Sequence, residues 1–140
     1  MLKTIHSFWA YLVVIMLFIA TVNVIIGFVQ KKMFASKDFS FALLTLILSH
    51  TQFLIGVFLL GLNNQFGEMT MRDIMSTAPI RLTHIEHPLV MLIAIVMITI
   101  GYSKHKKTLT SQKKFKTLSI FYTLAFVLVL SRIPWSNWLA

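Results

Sequence analysis

The residues of this chain best equipped for chemistry are five histidines, His6, His50, His84, His87 and His105, of which only His105 stands in a strongly charged stretch. The segment THIEHPLVMLIAIVMITIG, residues 83–101, places His84, Glu86 and His87 at the mouth of a long apolar run. A polar side chain in a bilayer is costly unless it has a partner, so each histidine in or beside such a run is a functional candidate. Imidazole has a specific use there. A neutral ring nitrogen binds haem iron from either face, and two histidines from different helices make a b-type electron-transfer centre without any cysteine. The chain contains no cysteine, which excludes covalent c-type haem attachment, Cys-ligated zinc, iron–sulfur clusters and disulfides.

The elements that must position these side chains follow from composition and charge spacing. Hydrophobic residues make up 57% of the 140 positions and charged residues 12%, and the mean hydropathy is +0.81. Four charge-free intervals, Lys3 to Lys31, Asp38 to Glu68, Glu86 to Lys104 and Lys116 to Arg132, enclose mostly Leu, Ile, Val, Phe and Ala. A bilayer-spanning helix needs about 20 such residues. The expectation is an all-α, integral membrane four-helix bundle forming one transmembrane domain over residues 1–140, with helices at about 6–29, 39–62, 83–103 and 117–133. The first apolar run exceeds the core of a secretory signal and no small-x-small cleavage site follows it, so it is expected to remain in the mature protein.

The net charge of +9 is unevenly placed. Nine lysines (31, 32, 37, 104, 106, 107, 113, 114 and 116) fall in the two connections on one side, whereas Lys3, Arg72, Arg81 and Arg132 fall on the other. By the positive-inside rule the Lys-rich loops are cytoplasmic and both termini face outward. That distribution makes KHKKTLTSQKKFK a topology signal, with anionic lipid as a secondary contact, and no nucleic-acid partner is expected.

Local signals refine the boundaries. Ser36, Lys37 and Asp38 supply capping residues for the second helix, Asn63 and Asn64 end it, and a short interfacial helix is expected within residues 63–82. Thr83 and Glu86 have capping-box spacing for the third helix. Pro88 has no N–H to give the His84 carbonyl and pushes His87 away from α geometry, so the first turn should be bent or loosened. Pro134 stops the fourth helix, and Trp135 and Trp138 read as interface anchors.

Helical phase sorts the candidates. His87 shares a stripe with Met91, Ala94, Ile98 and Gly101, whose small members mark close helix contact, and His84 lies about 60° away. On the second helix His50 shares a face with Leu43, Leu54 and Gly61, while Thr45, Ser49, Gln52 and Gly56 form another, so one face meets a cofactor and the other a neighbouring helix. Depth separates the possible pairs: His6 and His87 lie near the outer boundary, but His50 lies about 18 Å down unless its helix slides or tilts. Pairing of His87 with His50 or with His6 stays open on these grounds. So does a reading in which His50, Thr45, Ser49, Gln52 and Asn23 are interhelical hydrogen-bond glue, and the methionines are apolar filler.

The segments HSFW at 6–9, LSHTQFLIGVFLL at 48–60, EHPLVMLIAIVMITIG at 86–101 and RIPW at 132–135, in that order across nearly the whole chain, resemble small four-helix bacterial membrane proteins labelled cytochrome b-like. The resemblance implies a bacterial inner-membrane, multi-pass location and haem b, with iron ligands at His50 and His87 and His6 as a third candidate. One departure is Phe8, where the family tends to carry an Arg before the Trp. A fainter similarity of SHTQFLIG links the chain to one half of haem A synthase, but the fourth helix has no histidine, so that activity is not carried over.

The expectation is therefore a membrane b-type cytochrome holding one haem b in its outer half and exchanging electrons with a quinone or a partner subunit, an electron carrier rather than a stand-alone enzyme, with no catalytic residue. His50 and His87 would ligate the iron, His6 or His84 would substitute or support them, and Arg132 with Arg81 would meet the haem propionates. Two alternatives belong to other classes. One is a cofactor-free accessory subunit of a larger membrane complex; the other is a small proton or metal-ion conductor using His6, His84, Glu86 and His87 at its outer mouth.

Overall fold

The computed structural model describes residues 2–62 and 67–135. Among these there are helices and no strand: α1 (Leu2–Val29), α2 (Ser36–Leu62), α3 (Met71–Ser76), α4 (Ala78–Arg81), a π-helical turn (Leu82–Glu86), α5 (His87–Lys107) and α6 (Ser111–Ser131). Because α4, the π turn and α5 continue one another over Ala78–Lys107, four rods are long and apolar enough to cross a membrane. Each of α1 and α5 packs against both α2 and α6. The four rods thus form a ring in which α1 lies diagonally across from α5.

The rods are apolar on most faces, and large side chains such as Phe8, Phe18, Leu54, Phe58 and Val127 stand exposed around the outside. Such a surface matches hydrocarbon rather than water. Inside, packing is tightest toward the end that carries the lysine clusters. Leu17, Ala20 and Val24 of α1 meet Ala42 of α2, Ile98 of α5, and Phe115, Leu118 and Tyr122 of α6 in one buried cluster. Two glycines permit the close approach: a Cβ at Gly27 would run into the Phe115 ring, and one at Gly101 into the Cβ of Phe121. Several polar groups here are paired with main chain or with one another. The Tyr122 hydroxyl donates to the Ala42 carbonyl at 2.9 Å, and Asp38 accepts from Asn23 Nδ2 at 2.7 Å and from the Ala35 N–H at 2.9 Å. Asn23 is therefore interhelical glue, as its type and position imply.

Several boundaries differ from the sequence expectation. The capping box at Thr83 and Glu86 is not formed, because the helix is already running from Ala78 and those N–H groups are committed. Thr83 instead turns its hydroxyl back to the Pro79 and Ile80 carbonyls, and the cap with a side-chain bond lies upstream, where Thr70 accepts from the Asp73 N–H. Pro88 does loosen the turn before it, but as a π turn in which the His87 N–H reaches Leu82 O. His87 itself keeps α-helical angles, φ −62° and ψ −52°, since the wider turn relieves the clash that would have displaced it.

The last rod begins at Ser111, capped by Thr110, rather than near 117, and α5 runs to Lys107. Lysine is a good helix former, so the charges that end an apolar run do not end a helix. His105, expected in a loop, lies buried on the last turn of α5. A short helix within residues 63–82 is present as α3, fastened by the fully buried Ile74. The expected helix stop at Asn63 and Asn64 and the anchor at Trp138 lie outside the described residues. Trp135 is exposed and donates its Nε1–H to the Leu130 carbonyl at 3.0 Å.

The Gly27–Phe115 contact makes a direct test. Gly27→Ala should lower unfolding stability in detergent by about 1–3 kcal/mol despite alanine's better helix propensity. The loss should shrink when Phe115→Leu is added, as read from thermal unfolding of the four members of the cycle.

Candidate functional site: a histidine pair across the bundle

Away from the Gly27 and Gly101 contacts, toward the end where α1 begins and α5 starts, the rods diverge around a cavity of about 440 Å³. Its walls are mostly aliphatic, and the small residues Ala10, Gly56 and Ala94 keep them apart. Into this space come His6 from α1, Ser49 and Gln52 from α2, and His84 and His87 from the π turn and α5.

His6 and His87 face one another across the bundle diagonal, their ring centroids 6.3 Å apart and their planes at 90°. Each ring is separately held. The His87 Nδ1–H donates to the Arg132 carbonyl at 2.8 Å, a bond between the start of α5 and the end of α6. Since a carbonyl can only accept, the neutral ring keeps its lone pair on Nε2. On the other side, Gln52 Nε2 donates to the His6 main-chain carbonyl at 2.8 Å, tying the first turns of α1 to α2. The His6 ring leans against Gly56, where an added Cβ would stand 3.1 Å from His6 Cε1. A Cβ there would make the imidazole give by a few tenths of an ångström.

Three buried polar atoms on this wall have no hydrogen-bond partner: His6 Nδ1, Ser49 Oγ and Gln52 Oε1. An unmatched buried polar atom costs about 1–3 kcal/mol, so three in one cavity mark a space built to hold something polar as well as apolar. Among the described residues no three His, Cys, Asp or Glu side chains converge.

At the rim, Glu86 lies between two arginines, with Arg81 Nε at 3.1 Å and Arg132 Nε at 3.9 Å. Two guanidiniums on one carboxylate leave an excess positive charge there. His84 is half-buried beside the cavity, its Nδ1 3.0 Å from the Thr83 hydroxyl.

The pairing of His50 with His87 is not formed. His50 is on the outer surface, with Nδ1 bonded to the Leu46 carbonyl at 2.8 Å and Nε2 3.2 Å from the Thr99 hydroxyl. Thr99 follows His87 by three helical turns or more, about 18 Å along the rod. The face of α2 that looks inward is the other one, with Thr45 and Ser49 buried and Gln52 and Gly56 lining the cavity. Its small and polar character is the sequence signal for that choice. His6 lies on the stripe of Val13, Leu17, Ala20, Val24 and Gly27, the buried face of α1, so its inward direction also has a signal in helical spacing.

No protein-family model, curated protein sequence or solved structure matches this chain.

Gly56 provides the test of this geometry. Gly61 has open space around its Cβ position, so Gly61→Ala should be neutral or stabilising by up to about 1 kcal/mol. Gly56→Val should destabilise by about 1–3 kcal/mol in the same thermal assay, because the branched side chain displaces the His6 ring.

Proposed function

We propose that the chain is a membrane-embedded b-type cytochrome in which His6 and His87 would hold one haem b. The observation that carries this reading is the opposed imidazole pair. Imidazole nitrogens bind a metal ion at about 2 Å, and two rings with centroids 6.3 Å apart would leave room for one ion between them. A pair of histidines from different helices is a donor set that suits haem iron. The bound iron would supply a one-electron ferric–ferrous couple.

The chain's own residues do the rest. The Arg132 carbonyl fixes the His87 tautomer and ring direction, the carbonyl support often found behind a ligating histidine. Gln52 and Gly56 hold His6 at its level, and the aliphatic wall keeps water from the centre. Arg81 and Arg132, only partly neutralised by Glu86 and each close in the chain to residues that line the cavity, would pair with propionates. His50 plays no part in ligation and serves α2–α5 contact through Thr99. The four rods cross a bacterial inner membrane with the Lys-rich connections cytoplasmic and this site in the outer half. A quinone or a partner subunit exchanges the electron.

Two measurements test the proposal. The protein expressed with ample haem and purified in detergent should show a low-spin Soret band; His6→Ala and His87→Ala should each abolish the low-spin spectrum, while His50→Ala keeps it. A colourless wild type would instead favour the cofactor-free accessory subunit, and loss in His50→Ala with retention in His6→Ala would reassign the ligand. For topology, the absence of native cysteine allows single-cysteine labelling in intact cells. Lys107→Cys should react with an impermeant thiol reagent only after permeabilisation, and Thr70→Cys without it.

A further inference from the structure

The opposite end of the bundle carries a second histidine site that the cytochrome reading does not use. His105 is 1% exposed, and its Nδ1–H donates to the Tyr102 carbonyl, so the neutral ring carries its lone pair on Nε2. That Nε2 is buried without a partner. The ring forms part of the wall of a cleft of about 440 Å³, together with Phe34, Ser36, Ser40, Lys106 and Lys114.

Two ammonium groups are held beside this imidazole. Lys114 Nζ donates to the His105 carbonyl at 2.9 Å and stands 5.7 Å from the centre of the Phe34 ring, and Lys106 Nζ stands 5.5 Å from that of Tyr102. Neither lysine has a carboxylate partner among the described residues. Ser36 and Ser40 bring hydroxyls, and Ser36 opens the 27-residue helix α2, whose N-terminus adds the positive end of a helix dipole. The carboxylate of that first turn, Asp38, is already engaged by Asn23 and the Ala35 N–H.

We propose that this cleft binds a phosphate group that also carries a hydroxyl: the anionic oxygens meet Lys106, Lys114 and the serine hydroxyls, and the hydroxyl donates to His105 Nε2. Inorganic hydrogen phosphate and the headgroup of a glycerol-headed phospholipid share this chemistry. A plain anion such as sulfate satisfies the lysines but has nothing to donate to the imidazole, and that difference separates a built site from general attraction to a basic surface.

The full chain in nanodiscs of neutral phosphatidylcholine is titrated with inorganic phosphate and with sulfate by calorimetry at pH 7, and with phosphatidylglycerol by native mass spectrometry. One equivalent of phosphate or phosphatidylglycerol should bind; phosphate binding identifies a soluble ligand, and binding of phosphatidylglycerol alone identifies a lipid. His105→Phe and Lys114→Met should each weaken binding about tenfold or more, and Lys113→Met, outside the cleft, should not. Lys106→Met, an exposed position that leaves the packing around His105 in place, should weaken it as well. Failure of both probes to bind, sulfate binding as tightly as phosphate, or equal weakening by Lys113→Met and Lys114→Met would each overturn the proposal.

Discussion

The arrangement of the site depends on one missing hydrogen-bond donor. Pro88 has no N–H, and its ring crowds the carbonyl four residues before it, so an ordinary α turn cannot pass through His84 to Pro88. The chain widens there into a π turn, with the His87 N–H reaching back five residues to Leu82 O. One extra residue per turn shifts everything upstream by about 100° relative to α5. Arg81 and Glu86, five positions apart and poorly placed for each other on a regular helix, then close to 3.1 Å. Downstream, His87 stays helical and on the stripe of Ala94, Ile98 and Gly101, which is the stripe that faces the bundle axis. A local defect in the backbone thus delivers an imidazole to the interior and an ion pair to the rim.

Packing divides the bundle into two halves with opposite demands. Gly27 and Gly101 let α6 press against α1 and α5, giving a closed core around Phe115 and Tyr122. Gly56 is also a place of close approach, yet what it receives is the His6 ring rather than a core residue. The closed half makes the rods rigid enough to keep the other half open, where the rods enclose about 440 Å³ instead of collapsing. Without that support, three unpartnered polar atoms and two imidazoles would be a poor lining for a hydrophobic interior.

The four rods were legible in the charge-free intervals, because apolar length alone sets the number of spans. Much of the helix phase was legible too. The stripe through His87 and Ala94 and the stripe through Thr45, Ser49 and Gln52 could both be read from small and polar residues at helical spacing. What failed were inferences in which a local motif was taken without its surroundings. Thr83 and Glu86 have the spacing of a cap, but a cap needs free N–H groups and a helix that begins there, and α4 already occupies the preceding turn. Lys104 to Lys116 looked like a loop because charge marks the end of apolar length, whereas the helices continue past it. The inward direction of His6 was in the sequence as well, since it shares a helical stripe with Val13, Leu17, Ala20, Val24 and Gly27; what that phase could not supply is its level, which the Gly56 notch and the Gln52 bond, both on another helix, set.

The three best-defined imidazoles share one device and differ in what lies beyond it. His50, His87 and His105 each give Nδ1 to a main-chain carbonyl, of Leu46, Arg132 and Tyr102 respectively. That bond fixes the ring and, in the neutral form, leaves a lone pair on Nε2. Chemistry is then decided by the surroundings. At His50 the nitrogen meets a threonine on the neighbouring rod and the result is a contact between helices. His87 shares a cavity with a second imidazole from the diagonal rod, and two such rings can grip a metal from both sides. At His105 the neighbours are two ammonium groups and the start of a helix, an environment that favours an anion over a cation. One residue type, presented in the same way, thus meets three different surroundings among four packed rods.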